Sequence, residues 1–510
     1  MVRSAALVAS LFAADKVLAL GRDAAIARAF GASAELDAYY AAFELPDGLF
    51  TVVAGSAMAT TLIPILAARL TRRDWEGAWR LISVVLNLVL LTVAAVSVLA
   101  AIFAPQVIRI VAPGFDPYRH ELAVRLMRLV LLQTLISSAS GIAMATLQAH
   151  QHFLLPAVAP LCYTMGRLLG ALFLAPRWGI FGLAWGGILG TVCHLLVQVP
   201  GLLRYRARWW PVLSHEDLRA LLALMGPRAL GLGVTYLNFV LPTFLGSQLF
   251  PGAIAAYEYG WRLMQFPETI IGTALGLTVF PTLAAQASIG DRAVLRRTAA
   301  WALRLMLALT IPAGAGLVLL GHPLTMLLFQ RGAFDPLATE RVYGALQFFA
   351  LGLIAHAALE VASRLFYAQR DMWTPLWAAL VGFALNAGVG WLLLPLMAHR
   401  GLSLANSLGA CVQVAILLTV AAKRLGGVEG RALGATLART ATATAAMAGA
   451  VLVVRSVLAG GPILPATLLA LGAGIAVYLA AAVVLRSPEI VALPSLLTAA
   501  RQPASPDPHQ

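Results

Sequence analysis

The chain has 510 residues, 60% of them hydrophobic and only 11% charged, and 36 Lys and Arg against 22 Asp and Glu give a net charge of +14. A soluble chain is typically ~45–50% apolar and ~25% charged, so a large soluble core is excluded, as are disorder, collagen and coiled coil. What remains is a polytopic membrane protein, in which basic residues gain meaning only from their place relative to the bilayer.

A membrane-crossing helix needs roughly 20 mostly apolar residues to cover ~30 Å of hydrocarbon. That template predicts segments near 5–30, 38–66, 81–103, 121–147, 153–175, 180–203, 218–246 and 253–285. Others follow near 299–321, 340–367, 374–396, 402–422, 435–457 and 462–486. The fold class is all-α, with about fourteen transmembrane helices of the length a bilayer requires. The opening Met1-Val-Arg3 and its apolar run imitate a signal peptide, but the pattern continues through Lys16 and Arg22 to Phe30 without a cleavage signal. It therefore reads as a retained first helix. A membrane β-barrel needs segments of alternating polarity, and such alternation is absent. The tail from 488 onwards, ending in Pro503-Ala-Ser-Pro-Asp-Pro-His-Gln510, reads as disordered. Cys162, Cys193 and Cys411 fall in apolar runs, at no spacing that suggests a metal site or a disulfide framework.

The basic residues alternate from loop to loop. Arg69, Arg72, Arg73 and Arg80 lie between spans two and three; Arg204, Arg206, Arg208 and Arg219 lie between six and seven. Arg292, Arg296 and Arg297 follow span eight, and Lys423, Arg424 and Arg431 follow span twelve. Intervening loops hold single residues such as Arg177, Arg400 and Arg455, with Arg109 and Arg119 as an exception. The excess of positive charge inside predicts that both termini are cytoplasmic. It also removes nucleic acid as a partner, because most of the net charge serves topology and anionic headgroups.

A repeat emerges once the spans are drawn. Gly114-Phe115-Asp116-Pro117 recurs as Ala333-Phe334-Asp335-Pro336, each followed by an acid, Glu121 and Glu340. Pro64 to Ala68 recurs as Pro281 to Ala285, and Ala149 to Pro156 lines up with Ala368 to Pro375. The repeat length holds six spans, an even number, so the two lobes are parallel repeats, a transporter architecture. The predicted organisation is a six-helix lobe over 1–210, a second over 211–430, two additional helices over 431–487, and the tail over 488–510.

Ionisable residues at membrane depth are costly, roughly 2.5–3.5 kcal/mol on insertion scales, and therefore point to function. The first two spans hold Asp15, Lys16, Arg22, Asp23, Arg28, Asp37, Glu44 and Asp47. Neither Lys16 nor Arg22 has an acid three or four residues away on its own helix, where side chains meet. Each must face another helix, water or an anionic ligand, and pairing with Glu44 or Asp47 is the bland alternative. Span eight holds Glu258, Arg262, Gln265 and Glu268, with Glu258 four residues before Arg262 and able to pair with it. Arg167 and His194 are singletons that read as satisfied core groups, and Glu360 with Arg364 reads as a buried pair. The glycines from Gly182 to Gly190 resemble a helix-packing face rather than a phosphate loop. No Walker, HExxH or Ser-His-Asp pattern is present, so the chain is read as a transporter and not an enzyme.

Lys16-Val-Leu-Ala-Leu-Gly-Arg22-Asp23, then Asp37-Ala-Tyr-Tyr-Ala-Ala-Phe-Glu44-Leu-Pro46, resembles the opening of the MurJ (MviN) lipid II flippases of the multidrug/oligosaccharidyl-lipid/polysaccharide exporter superfamily. The likeness continues at Ala112-Pro-Gly-Phe115, Arg262-Leu-Met-Gln-Phe-Pro267, Leu328-Phe-Gln-Arg-Gly-Ala-Phe334 and Gln369-Arg-Asp371. The resemblance implies alternating-access export of undecaprenyl-diphosphate-linked peptidoglycan precursor across the bacterial inner membrane, through a cationic central cavity. It implies substrate-binding roles for Lys16, Arg22, Arg262, Asp37 and Glu258, and a groove for the lipid tail on the last two helices. No cofactor or metal is expected; the expected energy source is the membrane potential or a monovalent cation, and the expected partners are the lipid-linked glycan, membrane lipids and other cell-wall synthesis proteins. The chain departs from the family at Phe50 and Thr51, where an arginine pair is usual, and at Glu44 and Asp47, so its cavity mouth is less positive and a related lipid-linked glycan is an alternative cargo. A competing reading is a cation-coupled multidrug antiporter using Asp37, Glu44, Asp47 and Glu258. A membrane glycosyltransferase ranks last, because it needs catalytic acids in a sizeable outer loop.

Overall fold

The computed structural model describes residues 2–53, 56–427 and 429–492, and those residues contain helices and connecting turns but no strand. The helices are α1 (Val2–Phe30), α2 (Ala34–Val53), α3 (Ser56–Thr71), α4 (Trp75–Ile102), α5 (Ala104–Val111) and α6 (Pro117–Ala149). α7 (Leu154–Leu169) runs through a π-helical turn at Gly170–Leu174 into α8 (Ala175–Trp178), followed by α9 (Ile180–Leu196), α10 (Val199–Arg204) and α11 (Leu218–Gly246). α12 (Ala253–Glu268) runs through a second π turn at Thr269–Thr273 into α13 (Ala274–Ile289). After these come α14 (Arg292–Phe329), α15 (Pro336–Ala368), α16 (Trp373–Met397), α17 (His399–Leu425), α18 (Gly430–Val457), α19 (Ile463–Val484) and α20 (Pro488–Val491).

Among the described residues, 10 helices are long and apolar enough to cross a membrane. The other expected spans fall on α1, α2 with α3, α11, and α12 with α13. One of them is interrupted, at the π turn Thr269–Thr273, and α1 and α2 carry the charges that lower their hydropathy.

The chain divides into two compact units: Met1–Ala255 with Phe329–Asp335, and Ala256–Leu328 with Pro336–Gln510. The sequence reading put the boundary at 210, which assigned α11 to the second lobe. In the structure α11 belongs to the first unit, because it packs on α2 and α3. Its Tyr236 hydroxyl donates to the Glu44 carbonyl oxygen (2.8 Å) and its Thr243 hydroxyl to Glu44 Oε1 (2.5 Å).

Within the first unit, loops predicted to share a side are bonded together. At one end Arg69, at the close of α3, pairs with Asp74, Glu216 and Asp217, and His150 stacks on Trp75, Trp79 and Tyr205. At the other end the turn after α1 meets two distant segments. The Ala333 N–H donates to the Arg28 carbonyl oxygen (2.9 Å), and Gly252, at φ +90°, lies so close that a Cβ on it would stand 2.0 Å from the Ala32 carbonyl oxygen. Only glycine fits that approach and that dihedral. A third contact is the glycine seam. Gly190, Gly186 and Gly182 of α9 lie against Gly166, Gly170 and Leu174 on the α7 side, and an added Cβ at Gly190 would be 3.1 Å from Gly166 Cα. The predicted helix-packing face is therefore realised as backbone-to-backbone contact.

In the second unit Arg424 pairs with Asp371 (2.6 Å), and Arg296 donates to the Gly426 carbonyl oxygen (3.1 Å), which gathers three more loops predicted to lie together. α18 and α19 pack on each other and on α14 through Ala308, Met447, Tyr478 and Ile490. One expectation fails here. Residues 488–491, assigned to the disordered tail, form α20, whose Glu489 is 0% exposed and paired with Arg304 of α14. Ser487 and Thr436 also donate to that carboxylate (2.9 and 2.7 Å). A buried charge with this many partners holds its helix in place. The rest of the predicted tail lies outside the described residues.

The repeat is written in the backbone. α6 and α15 each have 33 residues and each begins at the proline of the recurring motif. Positive φ angles recur 219 positions apart, at Gln151 and Arg370 and again at Gly179 and Ala398. Non-glycine residues seldom adopt such angles, so their recurrence marks matching turns.

Candidate functional site

Several ionisable residues of α1 and α2 are held by other side chains or by backbone N–H groups, but not as the helical spacing rule predicts. Arg22 reaches its immediate neighbour: Nε and Nη2 donate to Asp23 Oδ1 at 3.0 and 2.8 Å. The arginine side chain is 14% exposed. The spacing rule considers partners three and four residues away and misses this pair, which the long, flexible arginine stem permits. Asp15 accepts from the Thr164 hydroxyl of α7 (2.8 Å), which fixes α1 against α7. Lys16, one residue on, is exposed. Glu44 bonds α11, as described, rather than a cation of α1.

Asp37 is 0% exposed. Its Oδ2 accepts from the Gly252 N–H (2.6 Å) and its Oδ1 from the Ala255 N–H (2.8 Å), at the first turn of α12 that belongs to the first unit. Helix N-termini leave backbone donors unsatisfied and carry partial positive charge, so a carboxylate there acts as a cap. Arg119 Nη1 stands 3.8 Å behind it, and Arg119 itself is buried against Phe115. Asp37 is therefore occupied by structure and presents no surface to a ligand. Arg119 is the residue that the sequence reading treated as a stray loop charge; it is a buried counterion, which explains why it broke the loop pattern. The visible signal was Asp116-Pro117 opening a helix, since Asp116 caps α6 and also binds Arg119 Nε (2.6 Å).

Arg167 of α7 is braced by aromatic faces: its guanidinium carbon lies 5.6 Å from the Tyr39 ring centroid, 5.8 Å from Tyr163 and 5.9 Å from Phe43. His194 does behave as a satisfied core group, with Nδ1 2.6 Å from Ser140 Oγ in a network with Gln198.

In the second unit Arg262 and Glu258 form the expected pair at 3.7 Å, each partly exposed. Glu360 and Arg364 pair at 2.6 Å, with Arg364 across Gly276. In the solvent-side loops, the Gly77 N–H, and then the Arg69 guanidinium against the opposing effect of burial, hold Asp74 below the usual carboxylate range. Among the described residues no group of three His, Cys, Asp or Glu could hold a metal ion.

Interrupted spans, a duplicated helical plan and ionisable side chains anchored at membrane depth define a multi-pass transporter built from two repeats. Solved structures share this fold. One titled "Lipid II flippase MurJ, inward closed conformation" matches with a TM-score of 0.80 over 94% of this chain and 99% of that one, at 21% identity. An inward-facing multidrug resistance MATE family transporter of the MOP superfamily matches with a TM-score of 0.70 over 82% and 95% of the two chains, at 16% identity. The family model described as "Lipid II flippase MurJ" covers residues 26–470. The lipid II flippase MurJ of Burkholderia cenocepacia is 31% identical over 422 residues, 80% of this chain and 81% of that protein. A probable lipid II flippase MurJ of Rickettsia prowazekii is 28% identical over 439 residues, 83% and 84% of the two chains. The chain belongs to the MurJ lipid II flippase family.

Proposed function

We propose that this protein moves undecaprenyl-diphosphate-linked peptidoglycan precursor, lipid II, from the inner to the outer leaflet of the bacterial cytoplasmic membrane by alternating access. Membership of the family across four-fifths of the chain carries the reading. The chemistry agrees with it. A diphosphate needs cations already in place at membrane depth, ideally arginine, whose planar fork pairs with phosphate. Lys16 and Arg22 of the first unit and Arg262 of the second are our candidates. Asp23 and Glu258 hold the two arginines oriented until the anion replaces them, whereas Asp37 contributes by fixing α2. One charge crossing 100 mV is worth ~2.3 kcal/mol, so with the inside negative the potential favours outward movement of an anionic headgroup. Both termini lie in the cytoplasm on this reading, because the loops rich in Arg and Lys then face inward. The polyprenyl tail runs along α18 and α19, whose outer faces expose Leu452, Val453, Val457, Leu464 and Leu468.

Complementation of a flippase-depleted strain tests the assignment. Arg22→Ala and Arg262→Ala are expected to abolish rescue while the protein still reaches the membrane; full rescue by both would refute it. The fold shared with a MATE transporter favours a second reading, cation-coupled drug export. Drug efflux that survives Arg22→Ala but not Glu44→Gln with Asp47→Asn would support that alternative.

A further inference from the structure

Two pairs of oppositely charged neighbours lie on α1, Asp15 with Lys16 and Arg22 with Asp23, and the structure treats them differently. Arg22 closes on the adjacent Asp23 carboxylate, so neighbours on this helix can pair although their side chains leave it about 100° apart. Lys16 has a stem long and flexible enough to close on Asp15 in the same way, but it does not. Asp15 Oδ1 instead accepts from the Thr164 hydroxyl of α7 (2.8 Å). Lys16 stays exposed, and among the described residues none bonds or pairs with it.

The Thr164 hydroxyl is committed differently from others around it. A Ser or Thr inside a helix often donates to the carbonyl four residues back, and Thr134, Ser138, Thr146 and Thr191 of the same unit all do so. Thr164 is buried as they are, yet it reaches across to another helix. A hydroxyl given to a carboxylate makes a charge-assisted bond, roughly twice as strong as a neutral one. The bond also fixes the rotation of α1 on α7. Leu11, Asp15, Leu18 and Arg22 recur at helical spacing and are half-buried, whereas Lys16 and Val17 are exposed. Asp15 is therefore turned towards α7 while the cation next to it is turned away.

We propose that Thr164 is a positioning residue for the cargo site: by holding the Asp15 carboxylate on α7, it prevents Lys16 from being neutralised by its own neighbour. Lys16 is thereby kept as an uncompensated cation for the diphosphate. Without the hydroxyl, Asp15 turns to Lys16 as Asp23 already pairs with Arg22. The proposal rests on the reading of the chain as a lipid-diphosphate flippase and deepens it, since the two cations of α1 then differ in kind. Arg22 carries a counterion that the anion must displace, and Lys16 carries none.

The test is titration of undecaprenyl diphosphate into the purified full-length protein in detergent, followed by native mass spectrometry. Lys16→Gln is expected to weaken binding about 10–100-fold, as loss of a charge-assisted contact implies. Thr164→Val should weaken it about 3–30-fold, because neutralisation by a neighbour is less complete than removal. Thr164→Ser, which keeps the hydroxyl, should match the unmutated protein. The deciding variant joins Thr164→Val to Asp15→Asn: with no carboxylate left to neutralise Lys16, binding should return to the unmutated level. A bond that merely latched α1 to α7 would show no such recovery, so its absence overturns the proposal, as does unchanged binding by Thr164→Val. Asp15→Asn alone keeps an acceptor oxygen for the hydroxyl and should bind at least as tightly as the unmutated protein. Weaker binding by that variant overturns the proposal even where Thr164→Val folds poorly. With Lys16→Gln already in place, Thr164→Val should weaken binding no further; a full additional loss would show that the hydroxyl does not act through Lys16. Failure of the unmutated protein to bind undecaprenyl diphosphate at all would instead refute the flippase reading from which the proposal starts.

Discussion

Replacing Asp37 by alanine separates a structural carboxylate from a substrate-binding one. The substitution removes the acceptor of two backbone N–H groups, Gly252 and Ala255, and the counterion 3.8 Å from the buried Arg119. Hydrogen bonds to a charged acceptor contribute about 1.5–3 kcal/mol each, and donors left buried and unpaired bear the full desolvation penalty. The two bonds share one carboxylate and are not additive, so the loss is about 3–5 kcal/mol. For a unit of some 250 residues, about 2–4 °C per kcal/mol converts this to a midpoint lower by roughly 6–20 °C. The assay is thermal unfolding of the detergent-solubilised protein at one fixed scan rate, because membrane proteins of this size seldom unfold reversibly. Asp37→Asn, which keeps one acceptor oxygen, should fall between alanine and the unmutated protein. A midpoint for Asp37→Ala within about 2 °C of the unmutated protein would refute the cap. Loss of lipid binding by Asp37→Asn with no change in midpoint would return Asp37 to the ligand-binding set.

Three further outcomes follow from the geometry. Gly190→Val puts a Cβ 2.8 Å from the Tyr163 carbonyl oxygen and forces α7 and α9 apart; overpacking of about 1–3 kcal/mol or more should appear as a lower unfolding midpoint, which Gly434→Ala, in open space, should not reproduce. Burial opposes the charged form of Asp371, but the Thr374 hydroxyl and N–H and the Arg424 guanidinium outweigh it and pull its pKa down to about 2. Its folded value is thus below the ~3.9 of an unfolded aspartate, so its contribution is complete above pH 4 and is lost as pH falls towards 2. Melting curves of the unmutated protein and Asp371→Asn should differ at pH 5 and converge near pH 2. Glu489→Gln leaves Arg304 without its buried partner, which costs about 3 kcal/mol when one member of such a pair is removed; faster proteolysis confined to the segment after α19 is the readout, and unchanged proteolysis would count against the clamp.

Much of the fold was legible because lipid imposes it. Apolar runs of the right length, alternating basic loops and a six-span repeat are properties of local sequence, and the repeat returned in the backbone at Gln151 and Arg370. What stayed hidden were long-range contacts. Asp37 caps a helix more than 200 positions away in the chain, and Glu44 turns to α11, so no spacing rule could assign them. Arg22 and Asp23 were hidden for the opposite reason, being too close together for a rule that looks one turn away. α20 could have been read. Ser487-Pro488-Glu489 is a helix start, with proline at the first position and an acid in the first turn, but the proline-rich residues beyond it suggested only a tail. The candidate cations are legible from their cost in the membrane, whereas the three rings that converge on the Arg167 guanidinium are a tertiary contact that sequence spacing does not show.

The segment Phe329–Asp335 completes the first unit although the whole stretch Ala256–Leu328 before it belongs to the second. Synthesis at about 5–20 residues per second delivers it roughly 4–17 s after α11 has been made. Until then the Arg28 carbonyl oxygen lacks the Ala333 N–H that it accepts in the finished protein. Membrane insertion of this protein cannot therefore proceed as one finished half followed by the other. The first half must wait, with its last seam open, for α12, α13 and α14 to enter the bilayer, and any factor that shields nascent helices has its longest task there.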